Sequence, residues 1–150
     1  LVEMDVLLTH PFGHHVVEGV LEHGLARQRG EIISALRKGV VRAAYSRPGA
    51  YVLEKALLYS SFEDRWALAS DLLAAAPSEF AGLIRSPLGC MVIRAMLRSL
   101  SAVAQQVRQQ LTESGLMSEL ETTKHGRRLL ASAGLSSVSD SSSAGVGEEA

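Results

Sequence analysis

The sequence is poor in aromatic residues: three Phe, three Tyr and one Trp make up 5% of its 150 positions. β-Sandwiches lean on Val, Ile, Tyr and Phe. Here the 47% apolar content is mostly Leu, Val and Ala, which favours helices. A single cysteine, Cys90, excludes an internal disulfide framework and a Cys-rich zinc site, and is compatible with a reducing compartment. No apolar run approaches the roughly 20 residues needed to span a bilayer, and no signal-peptide pattern is present, so no membrane partner is expected. The chain starts at Leu1 inside a helical pattern and reads as part of something longer. Charge of one sign is also scarce. The formal net charge is −1, with Asp140, Glu148 and Glu149 in the last eleven residues. Residues 1–135 carry 15 Lys/Arg against 13 Asp/Glu, a balance of +2. A body this mildly basic does not attract phosphate backbones strongly, so nucleic-acid affinity would have to come largely from base contacts.

Repetition is what the sequence does have. PFGHHVVEGVL at 11–21, RPGAYVLEKAL at 47–57 and PLGCMVIRAML at 87–97 align without gaps. Each places a glycine (Gly13, Gly49, Gly89), two variable residues, an apolar pair, and a further apolar pair two positions on. The glycines lie 36 and 40 residues apart. A degenerate copy, KHGRRLLASAG at 124–134, sets Gly126 another 37 residues on. Apolar residues at 16, 17, 20 and 21 form one helix face. Similar stripes run through Ile32, Ile33 and Leu36, through Trp66, Leu68, Leu72 and Leu73, and through Val103, Val107 and Leu111. Shorter helices are predicted at 3–9, 40–45 and 78–85, ended by Pro11, Pro48 and Pro87. Each repeat is therefore short helix, glycine-led helix, long helix.

No single unit can bury both of its apolar faces, so stacked units should form an all-α solenoid with a concave surface. The units are 1–38, 39–76 and 77–115, with a degenerate C-terminal cap at 116–134. The Ser/Gly-rich, acidic and aperiodic stretch 135–150 is expected to be a disordered tail.

The five positions after each glycine read His14-His15-Val-Val-Glu18, Ala50-Tyr51-Val-Leu-Glu54 and Cys90-Met91-Val-Ile-Arg94. Positions one and five are one helical turn apart on one face, and positions three and four should enter the core. The pair on the outer face, with the second residue beside it, offers an edge-reading pair and a stacking side chain per repeat, as an unstacked base needs.

The near-36-residue period, the Gly-x-x-V-V-E/Q-x-x-L signature and the phrase VLEHG at 20–24 resemble Pumilio (PUF) repeats over roughly residues 1–133. The resemblance implies a superhelix binding single-stranded RNA, one base per repeat, antiparallel to the strand. Positions one and five would meet the base edge, and position two would stack. It also implies post-transcriptional regulation of messages through their 3′ untranslated regions, in the cytoplasm, with regulatory protein partners on the convex face. The candidate RNA-binding residues are His14, His15, Glu18, Ala50, Tyr51, Glu54, Cys90, Met91 and Arg94. None of the three pairs follows the family's usual combinations. Ala50/Glu54 keeps the acid for guanine without a hydroxyl, Cys90/Arg94 suits the acceptors of cytosine, and Glu18 leans towards guanine.

Two rivals stand beside this reading. A divergent PUF-like protein of ribosome biogenesis, nucleolar, would bind RNA with little base preference. An armadillo- or HEAT-like scaffold would bind proteins only. The bland reading of Glu18, Glu54 and Arg94 as a solvated stripe is countered by their common register in three repeats. Scattered Arg27, Arg29, Arg42, Arg127 and Arg128 suit phosphate contacts or an ordinary surface. No enzyme is expected, since nothing assembles nucleophile, base and oxyanion donors. No cofactor or metal is expected either: Pro11–Gly13 separates His10 from His14, and no reliably spaced carboxylate or thiol completes a tetrahedral set.

Overall fold

A computed structural model describes residues 6–8 and 10–135. Residues 6–8 are helical and lead into α1 (Gly13–His23) and α2 (Ala26–Arg37). The second unit is α3 (Val40–Tyr45), α4 (Arg47–Tyr59) and α5 (Phe62–Leu73). The third is α6 (Pro77–Arg85), α7 (Pro87–Ser99), a 3₁₀ turn (Ser101–Val103) and α8 (Ala104–Glu113). The cap is α9 (Met117–Leu120) and α10 (Lys124–Ser132). Among the described residues there is no strand. The fold is the expected all-α solenoid. The glycine-led helices pack in a row, α1 on α4, α4 on α7 and α7 on α10, while the long helix α2 packs on α5.

The recurring glycine has a steric cause. A Cβ at Gly49, Gly89 or Gly126 would come within 3.0 Å of a backbone carbonyl oxygen six residues earlier, on Ala43, Leu83 or Leu120. At Gly13 it would meet the Leu7 side chain at 2.7 Å, again six residues back. The glycine is where the short helix crosses the start of the next helix. Its amide is capped in every copy by a side chain three residues earlier. Ser46 Oγ accepts from Gly49 N–H at 2.9 Å, Ser86 Oγ from Gly89 at 3.4 Å, Thr123 Oγ1 from Gly126 at 3.1 Å, and His10 Nδ1 from Gly13 at 2.9 Å. Such caps contribute about 1 kcal/mol each. Pro48 and Pro87 sit in the first turn, where their missing amide has no intrahelical partner to lose.

The core runs along the row through Val17 and Leu21, Val52, Leu53, Ala56 and Leu57, Val92, Ile93 and Met96, and Leu129 and Leu130. Each larger side chain contributes roughly 1.5–3 kcal/mol by leaving water. On the long helices Ile32, Ile33, Leu36, Val107 and Leu111 are buried as the periodicity predicts. Two positions differ. Trp66 is 38% exposed, so the buried stripe of α5 is Leu68, Ala69 and Leu72. Val16, at position three, is 62% exposed whereas its equivalents Val52 and Val92 are wholly buried. The cause is the stacking itself: position three is covered by the preceding unit, and among the described residues α1 has none before it.

Neighbouring units are tied by polar bonds one period long. Arg37 forks onto Asp71 (2.7 and 3.2 Å) and Arg85 onto Glu119 (3.0 and 3.3 Å). The Tyr45 hydroxyl donates to Glu79 O, Arg65 to Ser99 O and Gln110 to Leu73 O. The Asp71 carboxylate raises the Arg37 pKa, chiefly through the hydrogen bond. Leu135 still belongs to the cap: its N–H donates to Leu130 O at 2.8 Å and its side chain packs on the core. The rest of the expected tail, 136–150, lies outside the described residues, as do 3–5 and 9 of the first short helix.

Candidate nucleic-acid interface

The nine candidate residues divide by depth. At position one, Ala50 and Cys90 are 0% and 1% exposed and His14 is 6% exposed. The expectation that position one stands on the surface beside position five fails in depth. The first residue after the glycine is wedged against the preceding short helix, so an i, i+4 relation puts it on the same face but lower. The Cys90 thiol donates to Ile84 O at 3.1 Å, and burial pushes its pKa up to about 12 against a small opposing effect of Arg94. It is neither a nucleophile nor a free donor. Ala50 and Cys90 act through smallness, leaving a shallow floor.

Position two is accessible. His15 is exposed, and Tyr51 and Met91 are half-buried. Arg47 donates to the Tyr51 hydroxyl at 3.2 Å, one turn back, and restrains that ring. Across the first boundary the His14 and Tyr51 rings are 6.0 Å apart, and His14 and His15 are 4.0 Å apart. The His14 ring therefore bridges His15 and Tyr51 at the first boundary, and Met91 holds the same register position in the third unit with a polarizable thioether.

Position five is half-buried in all three units and already has protein partners. Glu18 Oε2 lies 2.6 Å from His14 Nδ1. Glu54 Oε2 lies 3.6 Å from the Arg98 guanidinium of the next unit. Arg94 Nε donates to the Ser132 hydroxyl of the cap at 3.3 Å. One rung away, Lys55 Nζ donates to Glu22 at 3.2 Å and stands 5.4 Å over the Tyr59 ring. Lys55 lowers the Glu22 pKa first through this hydrogen bond, with the Tyr59 hydroxyl adding to it, and Glu22 raises that of Lys55. The acid–cation pairs Glu22–Lys55 and Glu54–Arg98 each bridge two units, and these ties at and near position five were not legible from the repeat signature alone.

Two of the scattered arginines are spent locally, and a histidine of the cap reaches the preceding unit. Arg29 donates to Gly24 O and Arg127 to Glu121 O, while His125 Nε2 sits 3.3 Å from Arg85 O. His10 is occupied as the helix cap. One cluster was missed: His14, His15 and Glu18 each bring a metal-ligating atom within 4.8 Å of the other two. The spacing His-His-x-x-Glu at 14–18 is the signal in the sequence: Glu18, not His10, is the partner of His14. A hollow of about 630 Å³ lies away from the row, on the long-helix side between α5, α6 and α8, with Trp66, Phe80 and Gln110 among its walls.

No family model matches the sequence, and no curated protein matches it. Solved structures do match the fold. The Puf3 RNA-binding domain bound to a Cox17 RNA 3′ UTR recognition sequence superposes with a TM-score of 0.76 at 19% identity, over 95% of this chain and 39% of that one. The yeast Puf5p RNA-binding domain bound to SMX2 RNA gives 0.77 at 18% identity, over 95% and 41%. PUF-8 in complex with PBE-RNA gives 0.73 at 17%, over 87% and 39%. At these identities the likeness establishes the fold, a Pumilio-type helical-repeat solenoid, of which this chain spans about two-fifths of the length found in those domains.

Proposed function

We propose that this Pumilio-type stack binds single-stranded RNA along the row α1, α4 and α7, and performs no chemistry of its own. The observation that carries the reading is the accessible second-position series His15, Tyr51 and Met91. It recurs once per unit beside the half-buried fifth-position residues Glu18, Glu54 and Arg94, in a fold whose solved relatives hold RNA. Bases stack on the second-position side chains. Glu18, Glu54 and Arg94 meet their edges above a floor set by His14, Ala50 and Cys90. The Arg94 unit prefers cytosine, and the Glu54 unit has a weak preference for guanine, weakened further by Arg98. In this reading the target is a message, engaged through its 3′ untranslated region in the cytoplasm. Regulatory protein partners occupy the convex face.

A second reading has a specific observation behind it. Glu18 and Glu54 are drawn to His14 and Arg98, which favours binding by shape and stacking with little base preference, as a nucleolar factor of ribosome biogenesis would bind. Random-pool RNA selection on the chain, with Arg94→Glu alongside, separates the two. An enriched motif whose base preference changes at one position in Arg94→Glu supports one-base reading; an unchanged ranking of all four bases supports the second. Tyr51→Ala should weaken RNA binding roughly 5–150-fold, the equivalent of about 1–3 kcal/mol of base stacking. Three units alone should reach about micromolar affinity once binding costs are met. If fluorescence anisotropy finds no RNA binding while protein partners are captured in the presence of ribonuclease, the chain is a protein scaffold instead.

A further inference from the structure

We propose that His14, His15 and Glu18 form a transition-metal site that takes Zn²⁺. Two imidazoles and one carboxylate form a borderline ligand set, suited to Zn²⁺ and poorly suited to Mg²⁺ or Ca²⁺, which demand more oxygens. Helix geometry brings them together: Glu18 is four residues beyond His14 and three beyond His15, the two spacings that share a helix face.

The three ligating atoms already lie within 4.8 Å of one another. Bonds of about 2.0–2.2 Å place tetrahedral ligand atoms about 3.3 Å apart. The His14–Glu18 contact of 2.6 Å therefore opens slightly, and His15, exposed and free to turn, closes onto the ion. His14 is held for the task, 6% exposed and flanked by the rings of His15 and Tyr51. The nearby cation Lys55 hydrogen-bonds Glu22 rather than Glu18. His10 is excluded because its Nδ1 accepts the amides of Phe12 and Gly13. Three protein ligands leave a fourth position for water or another small donor, the pattern of an open site.

The proposal does not rest on the RNA reading, and its test contains no RNA. Tag-free full chain, stripped with chelator, is titrated with ZnCl₂ by calorimetry and with CoCl₂ while the visible d–d bands are recorded. One equivalent should bind, with cobalt bands of four- or five-coordinate nitrogen and oxygen ligation. His15→Ala and Glu18→Gln, each checked for folding by circular dichroism, should lose more than about tenfold in affinity when folded. His23→Ala and His125→Ala, which remove histidines outside the cluster, should bind as the parent does. Zn²⁺ should raise the melting temperature of the parent and leave that of His15→Ala unchanged. The absence of saturable binding overturns the proposal. Undiminished affinity in folded His15→Ala overturns it as well, even if Glu18→Gln fails to fold.

Discussion

Replacing Gly89 with Ala asks whether the recurring glycine is a matter of space. At an open helix position the exchange stabilises by about 1 kcal/mol, because Gly is that much the poorer helix former. Gly89 lacks the left-handed φ that among the described residues only Gly115 and Gly134 show, so Ala is not excluded by backbone conformation. Its Cβ would nevertheless come within 3.0 Å of the oxygen, carbonyl carbon and Cα of Leu83, all backbone. Ordinary contact begins near 3.4 Å, so the end of α6 must retreat by about 1.4 Å, a displacement of the overpacking kind that costs about 1–3 kcal/mol. The same retreat strains the Ser86 cap and the Cys90–Ile84 bond, adding about 1 kcal/mol. Set against the helix-propensity gain, the net loss is about 1–3 kcal/mol. At roughly 4 °C per kcal/mol, that lowers the melting temperature by about 4–12 °C. Gly30→Ala is the matched control: a mid-helix glycine with nothing within 4 Å of the added Cβ, it should gain about 1 kcal/mol. Urea and thermal melts of the two variants should move in opposite directions. If Gly89→Ala melts at or above the parent, the crossing contact is not what keeps the glycine.

Cys90 should resist thiol reagents at pH 8 in the folded chain and label only through unfolding, so its labelling rate reports opening. Its folded pKa of about 12 lies above the ordinary value of 9.0. Stability from the neutral thiol is therefore complete below about pH 9 and lost as pH rises towards 12. Cys90→Ala, which copies Ala50 at the same position, should fold and lack that part of the alkaline decline in pH-dependent melts. The Glu22–Lys55 pair works at the other end of the scale. The lowered Glu22 pKa adds stability that is present above about pH 4.5 and lost on further acidification; Glu22→Gln should flatten the acid limb of the same melts. Val52→Lys should prevent folding by burying an unpaired charge, whereas Val16→Lys should leave the urea midpoint nearly unchanged. Comparable losses in both would mean that position three is equally covered in both units.

The parts of the fold that were legible in the sequence are those in which one residue type has one physical use. Glycine at a helix crossing and proline in a first turn are such cases, and they carry the period and the three-helix unit. Depth was less legible. A one-turn spacing places Cys90 and Arg94 on one face, yet the short helix α6 covers the first and leaves the second half-exposed. Val16 and Val52 are identical in register and differ only in what lies in front of them, which no local pattern encodes. The partners of position five were hidden for a related reason: Glu54–Arg98 and Arg94–Ser132 cross unit boundaries. Trp66 belongs to a stripe by spacing but extends past it by size.

Among the described residues, the polar side-chain ties between units join positions 25 to 44 residues apart, so each unit grips only its immediate neighbour. Architecture of this kind has no keystone. Whole modules can be added or removed at an end while every remaining joint keeps its geometry, and damage at one end fades with distance along the row.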